Sequence, residues 1–131
     1  SCRISDRHRL CYIGNIKFTL HDFESEDFYK KHNKIYLYQP GKTIKCTIYS
    51  VYDCLDKSAT YNTDFSDDGN DNKWVDWLTM TVNNNAYYPI KKKPAEKDHI
   101  ITLSTCSGKQ KGDSYRFVVH SLVTDTVIYE E

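Results

Sequence analysis

Long apolar runs are missing from this chain. No stretch approaches the ~18 apolar residues that span a bilayer, and no signal-peptide pattern follows Ser1. The chain is expected to be cytosolic, or to have its targeting and anchoring segments outside this sequence. Net charge is missing too. Lys plus Arg and Asp plus Glu number 18 each, which removes the electrostatic reason to expect nucleic acid or an anionic membrane as partner. The one dense basic run, Lys91-Lys92-Lys93, reads as a solvated loop. Proline is scarce, at three residues against eleven tyrosines. Aromatics suit half-buried pleated surfaces, so a β-rich fold is expected. Among the five cysteines (Cys2, Cys11, Cys46, Cys54, Cys106) no C-x-x-C pair occurs, which excludes paired zinc-knuckle spacing. The odd count leaves one thiol over from any full disulfide framework, either buried and apolar or reactive.

What is present fits one globular domain: 131 residues, 27% charged and 39% apolar. Residues 1–21 show no clear period. A short helix is expected at 25–32, with Ser25 as cap, Glu26 and Asp27 in the first turn and Lys30, Lys31 and His32 closing it, a charge order that complements the helix dipole. Lys34–Tyr38 and Thr43–Tyr52 read as strands about the turn Gln39-Pro40-Gly41-Lys42, and together as a hairpin. In the second strand Ile44, Cys46 and Ile48 alternate with Lys45, Thr47 and Tyr49. Residues 56–72 form a polar, acidic loop. Its acids (Asp64, Asp67, Asp68, Asp71) lack the alternation and closing Glu of an EF-hand and read as solvated. Trp74, Val75, Trp77, Leu78, Thr81 and Val82 recur at helical spacing over 72–82, with Asp71 as cap candidate and the tryptophans as core. Ile100–Cys106 and Tyr115–Val123 read as strands around a glycine-containing loop, and Val127–Tyr129 as a third.

Cys106 ends its β-branched run at the mouth of the loop, where a substrate can reach a thiol. Arg116 follows ten residues later, just inside the next strand. If the two strands pair antiparallel, facing residues lie ~5 Å apart. A guanidinium there favours the thiolate and can donate to a developing oxyanion.

The segment Thr102-Leu103-Ser104-Thr105-Cys106, with Arg116-Phe117-Val118-Val119-His120 at this spacing, resembles the T-L-x-T-C … R signature of sortases. Asp27-Phe28-Tyr29-Lys30-Lys31-His32 leading into Ile35-Tyr36-Leu37-Tyr38 is similar to class B sortases, as are Ser50-Val51-Tyr52 and Thr63-Asp64-Phe65-Ser66 before the 72–82 helix. The resemblance covers about residues 17–131, a partial sortase-like catalytic domain, with 1–16 as an atypical or poorly ordered N-terminal segment. It implies a mainly β fold, a sortase-like β-barrel of seven or eight strands in the family. It implies transpeptidation in which Cys106 is the nucleophile and Arg116 stabilises the tetrahedral intermediate. Ser104 and Thr105 fall at substrate-binding positions. The implied partners are the sorting-signal peptide of a secreted surface protein and an amine of a peptidoglycan precursor or pilin. No nucleic acid, metal or organic cofactor is implied. The implied location is the extracytoplasmic face of the cell membrane or the cell wall.

The chain departs from the family in two places. A sortase needs a general-acid histidine, usually in a Gly-His-Asn-type stretch about eleven residues before a Phe-x-x-Leu-like segment. Here Arg7-His8-Arg9 lacks the glycine, and His8 stands twelve residues before Leu20, so His8 is a shifted candidate. His21 and His32 read as surface residues and His99 as a loop residue. His120 shares a strand face with Arg116 but lies ~13 Å along it at ~3.3 Å per residue, and reads as structural. The second departure is length, since class B domains usually carry further upstream residues with the first barrel strands. An incomplete barrel leaves open edges, so a fragment, a truncated relative or an oligomer completed by strand exchange is expected. Two alternatives stay open: a binding module that keeps the groove without the histidine, and a small β domain whose Cys106 is structural.

Overall fold

A computed structural model describes residues 3–6, 20–61, 73–106 and 115–128, of which 3–6, 39 and 106 are described by their backbone. The strands are β1 (Arg3–Asp6), β2 (Lys34–Gln39), β3 (Lys42–Leu55), β4 (Ile100–Cys106) and β5 (Tyr115–Ile128). They form one antiparallel sheet in the order β1-β4-β5-β3-β2. Among the described residues the sheet is open, with β1 and β2 at its edges, so the fold is mainly β without a closed barrel.

The hairpin β2–β3 turns through Pro40 and Gly41, with Gln39 facing Lys42. Proline at the first central position and glycine at φ +80 at the second is the composition a type II turn requires. Beyond Ile48, the outer edge of β3 is taken over by Asn33, Asn85 and Ala86. Ile48 N–H donates to the Asn33 carbonyl at 3.0 Å, and Val51 N–H donates to Asn85 Oδ1 at 2.9 Å. The pairing of β3 with β5 contains two register shifts, at Lys45/Cys46 and at Ile48/Ser50. The first skips Thr124 and the second skips Tyr49.

β5 runs unbroken to Ile128, where a strand to Val123 and a separate one at Val127–Tyr129 are expected from the sequence. Thr124-Asp125-Thr126 has turn composition. It stays in the sheet because Thr124 forms the extra residue of a bulge and its hydroxyl donates to the Lys45 carbonyl at 3.2 Å. Tyr129 lies outside the described residues.

Each face of the sheet is covered. On one face Ile35, Leu37, Cys46, Val51, Leu103, Phe117 and Val119 pack under Leu20, Phe23 and Tyr88. The 3-10 turn Leu20–Glu24 leads into helix α1 (Glu26–Lys31) there. Ser25 caps α1, its hydroxyl accepting from Phe28 N–H at 3.4 Å. His21, expected at the surface, is half-buried instead: its ring stacks on Phe117 at 5.0 Å and Nδ1 meets Glu24 Oε2 at 3.0 Å. On the other face helix α2 (Lys73–Asn83) sets Trp74, Trp77 and Leu78 against Tyr49, Ile100 and Leu122. The two indole rings stack at 5.3 Å and 9°, and both indole N–H groups donate to backbone carbonyls, so the tryptophans are core as their spacing predicts. Burying one such side chain stabilises by roughly 3 kcal/mol. The cap candidate Asp71, the acids Asp64, Asp67 and Asp68, and the loop 107–114 lie outside the described residues.

Candidate active site

β4 and β5 pair antiparallel with Cys106 directly opposite Arg116. On its other side β5 pairs with β3, where Arg116 faces Cys54. Positions 54, 116 and 106 therefore form one row across three strands. The row exists because β5 lies between β3 and β4, an order that sequence neighbours do not reveal.

The next two rows toward the sheet centre pair Thr105 with Phe117 and then Ser104 with Val118, so Ser104 shares the face of Arg116 and Thr105 takes the other. Ser104 and Thr105 are half-buried. The hydroxyls of Ser104 and Tyr61 hydrogen-bond at 2.7 Å. Tyr61 ends a short 3-10 turn, Ala59–Tyr61, and the Cys54 thiol donates to its hydroxyl at 4.0 Å. Burial pushes the Tyr61 pKa up, and Cys54 adds to the rise, while the Ser104 bond and the Arg116 charge pull it partly back. The phenol is thus a neutral donor and acceptor within the field of the Arg116 guanidinium. Arg116 is half-buried, and its Nη1 donates to the Tyr115 carbonyl at 3.0 Å, which orients the guanidinium at the start of the strand.

Ser104, Tyr61, Cys54 and Arg116 thus line a polar wall at the end of β4. Tyr61 and Cys54 are site residues that sequence reasoning missed. Tyr61 sits in a segment read as featureless polar loop, and Cys54 carries no local motif. Cys46 and Cys54 both remain thiols. Among the described residues no cluster of His, Cys, Asp or Glu could hold a metal ion. His8 lies outside the described residues. β1 ends two residues before it, with Asp6 opposite Ile101 at the far end of β4 from Cys106. Of the other histidines, His32 and His99 are exposed and His120 is buried.

Comparison with solved structures decides the fold. Staphylococcus aureus sortase B matches with a TM-score of 0.65 at 23% identity, over 92% of this chain and 55% of that one. The fold is that of class B sortases. The S. aureus sortase B–substrate complex matches with a TM-score of 0.66 at 25% identity, over 88% of this chain and 54% of that one. Clostridium perfringens sortase B matches with a TM-score of 0.66 at 24% identity, over 80% and 56%. The chain spans about half the length of these sortase B structures. No protein-family profile and no curated protein matches the chain.

Proposed function

We propose that this chain carries the nucleophile-bearing part of a sortase-type transpeptidase. The observation that carries the reading is the facing of Cys106 and Arg116 on paired strands, within a fold shared with class B sortases. The Cys106 thiolate attacks the carbonyl of a Thr in a sorting-signal peptide. Arg116 donates to the oxyanion of the tetrahedral intermediate. A general acid protonates the departing amine, and a thioester remains on Cys106. The sequence candidate His8 is not given this role, because the strand before it ends with Asp6 opposite Ile101, at the far end of β4 from Cys106. An acceptor amine, from a peptidoglycan precursor or a pilin, then attacks the thioester, gives its proton back to the conjugate base of that general acid, forms the new amide and returns the thiolate. Ser104 and Tyr61 line the groove that holds the extended peptide, while Thr105 points to the opposite face of the sheet with Phe117.

Two solved structures support this donor-and-acceptor scheme: one sortase B is complexed with its substrate and one with triglycine. Such an enzyme works at the extracytoplasmic face of the membrane or at the cell wall. Among the described residues β1 and β2 are the edges of the sheet, and these are where a second copy would exchange strands.

Intact mass after incubation with a sorting-type peptide tests the reading. The expected result is an acyl adduct on Cys106 that is absent in Cys106→Ala and discharged by an added amine. Arg116→Ala should slow acylation by roughly two to three orders of magnitude, the range for losing one oxyanion donor. A chain that never acquires the adduct would overturn the proposal, and an unchanged rate in Arg116→Ala would remove Arg116 from the mechanism.

A further inference from the structure

His120 has no part in the chemistry proposed above, yet it is fully buried four residues along β5 from Arg116. Both of its ring nitrogens are occupied. Nδ1 and the Thr102 hydroxyl lie 2.8 Å apart, as do Nε2 and the Tyr52 hydroxyl. The Tyr52 hydroxyl also meets the Thr60 hydroxyl at 2.9 Å. Thr60 immediately precedes Tyr61, whose hydroxyl returns to β4 at Ser104, two residues from Thr102. The contacts therefore close a circuit from β4 through β5 and β3 to the Ala59–Tyr61 turn and back to β4. Trp77 of α2 seals it with its ring edge-on to the imidazole, the two centroids 5.4 Å apart, and Tyr49 stacks on the imidazole at 5.9 Å.

We propose that His120 is a positioning residue: by joining Thr102 to Tyr52 and through it to Thr60, it holds Tyr61 against Ser104 and so sets the grip of the groove on an extended peptide. What the groove grips rests on the transpeptidase reading. The hold on Tyr61 does not. A neutral imidazole offers one donor and one acceptor at a fixed angle, and each hydroxyl beside it can take either role. The circuit is thus complete in either tautomer. Removing the imidazole takes from the buried Thr102 hydroxyl its ring partner and leaves the Tyr52 hydroxyl with Thr60, a loss that a low-dielectric interior makes costly.

Hydrogen exchange on the full chain, combined with peptide kinetics, tests the inference. In His120→Leu the amides of 59–61 should exchange about tenfold faster while those of β2 keep their rates, and His120→Gln should restore protection. Thr102→Val, which removes only the Nδ1 partner, should show the same local loosening and serves if His120→Leu does not fold. For a sorting-type peptide, His120→Leu should raise KM about five- to tenfold, the worth of one or two hydrogen bonds, with kcat within twofold. That increase should vanish in a Tyr61→Phe background. Exchange that is unchanged at 59–61, or that rises equally everywhere, overturns the positioning role. A loosened turn with unchanged KM overturns the link to peptide grip. A wild-type chain that forms no acyl adduct defeats the transpeptidase reading, while the exchange result still decides whether His120 holds Tyr61.

Discussion

Replacing His120 should change how the stability of the fold responds to acid, and the size of the change follows from its burial. Desolvation in the core pushes the His120 pKa down from 6.5 to about 3. The ionisable groups that face it, Tyr49 and Tyr52, are themselves held neutral by burial. Above 6.5 neither the folded nor the unfolded chain carries a proton at this site, so the site is silent. Below 6.5 the unfolded chain takes up a proton that the folded chain refuses, and stability falls as pH drops, until the folded pKa is reached. The slope is about 1.4 kcal/mol per pH unit. Going from neutral pH to 5 should therefore cost about 2 kcal/mol from this residue alone, a large share of a typical stability of about 5–15 kcal/mol. Urea unfolding of wild type and His120→Gln at pH 7.5 and 5.0 isolates the term, because every other titrating group is common to both chains. The wild type should lose about 2 kcal/mol more than the variant between the two pH values. Equal losses in the two proteins would refute the reasoning.

Two smaller predictions concern backbone geometry. Gly41→Ala should lower stability by about 1 kcal/mol in urea unfolding, although an added Cβ would meet nothing within 4 Å, because the whole cost lies in the positive φ. Ser25→Ala should cost about 1 kcal/mol by the same assay, by removing the hydroxyl that accepts from Phe28 N–H.

Elements whose signals are local were legible in the sequence. The capped helix at Glu26–Lys31, the Pro-Gly hairpin, the tryptophan-bearing helix and β4 all stand where caps, turn residues and periodicity predict them. β1 was not legible. Its four residues, Arg-Ile-Ser-Asp, hold a single apolar side chain, and they become a strand only by pairing with a segment about a hundred residues away. The site divides the same way. The facing of Cys106 and Arg116 could be expected from two strands joined by one loop. The approach of Cys54 and Tyr61 depends on β3 lying beyond β5, which no local pattern encodes. His120 read as structural from its distance to Arg116. Its two hydrogen-bond partners come from different strands and emerge only once the sheet is assembled.

The two irregularities in the β3–β5 ladder have opposite sense and cancel. One adds a residue on β5 and the other on β3, so Lys42 with Ile128 and Leu55 with Tyr115 keep the same pairing offset at the two ends. Inward-pointing positions nevertheless change parity along β3: Ile44, Cys46 and Ile48 feed the first apolar cluster from even positions, Val51 from an odd one. Loss of Tyr49 alone would remove the second irregularity: Ile48 opposite Ser121 and Ser50 opposite His120 would become consecutive pairs, so Val51 would keep its cluster and Cys54 would stay opposite Arg116. A single-residue deletion at this bulge would thus cost the second cluster its Tyr49 side chain and the Thr81 hydroxyl its phenol partner, while sparing the polar wall.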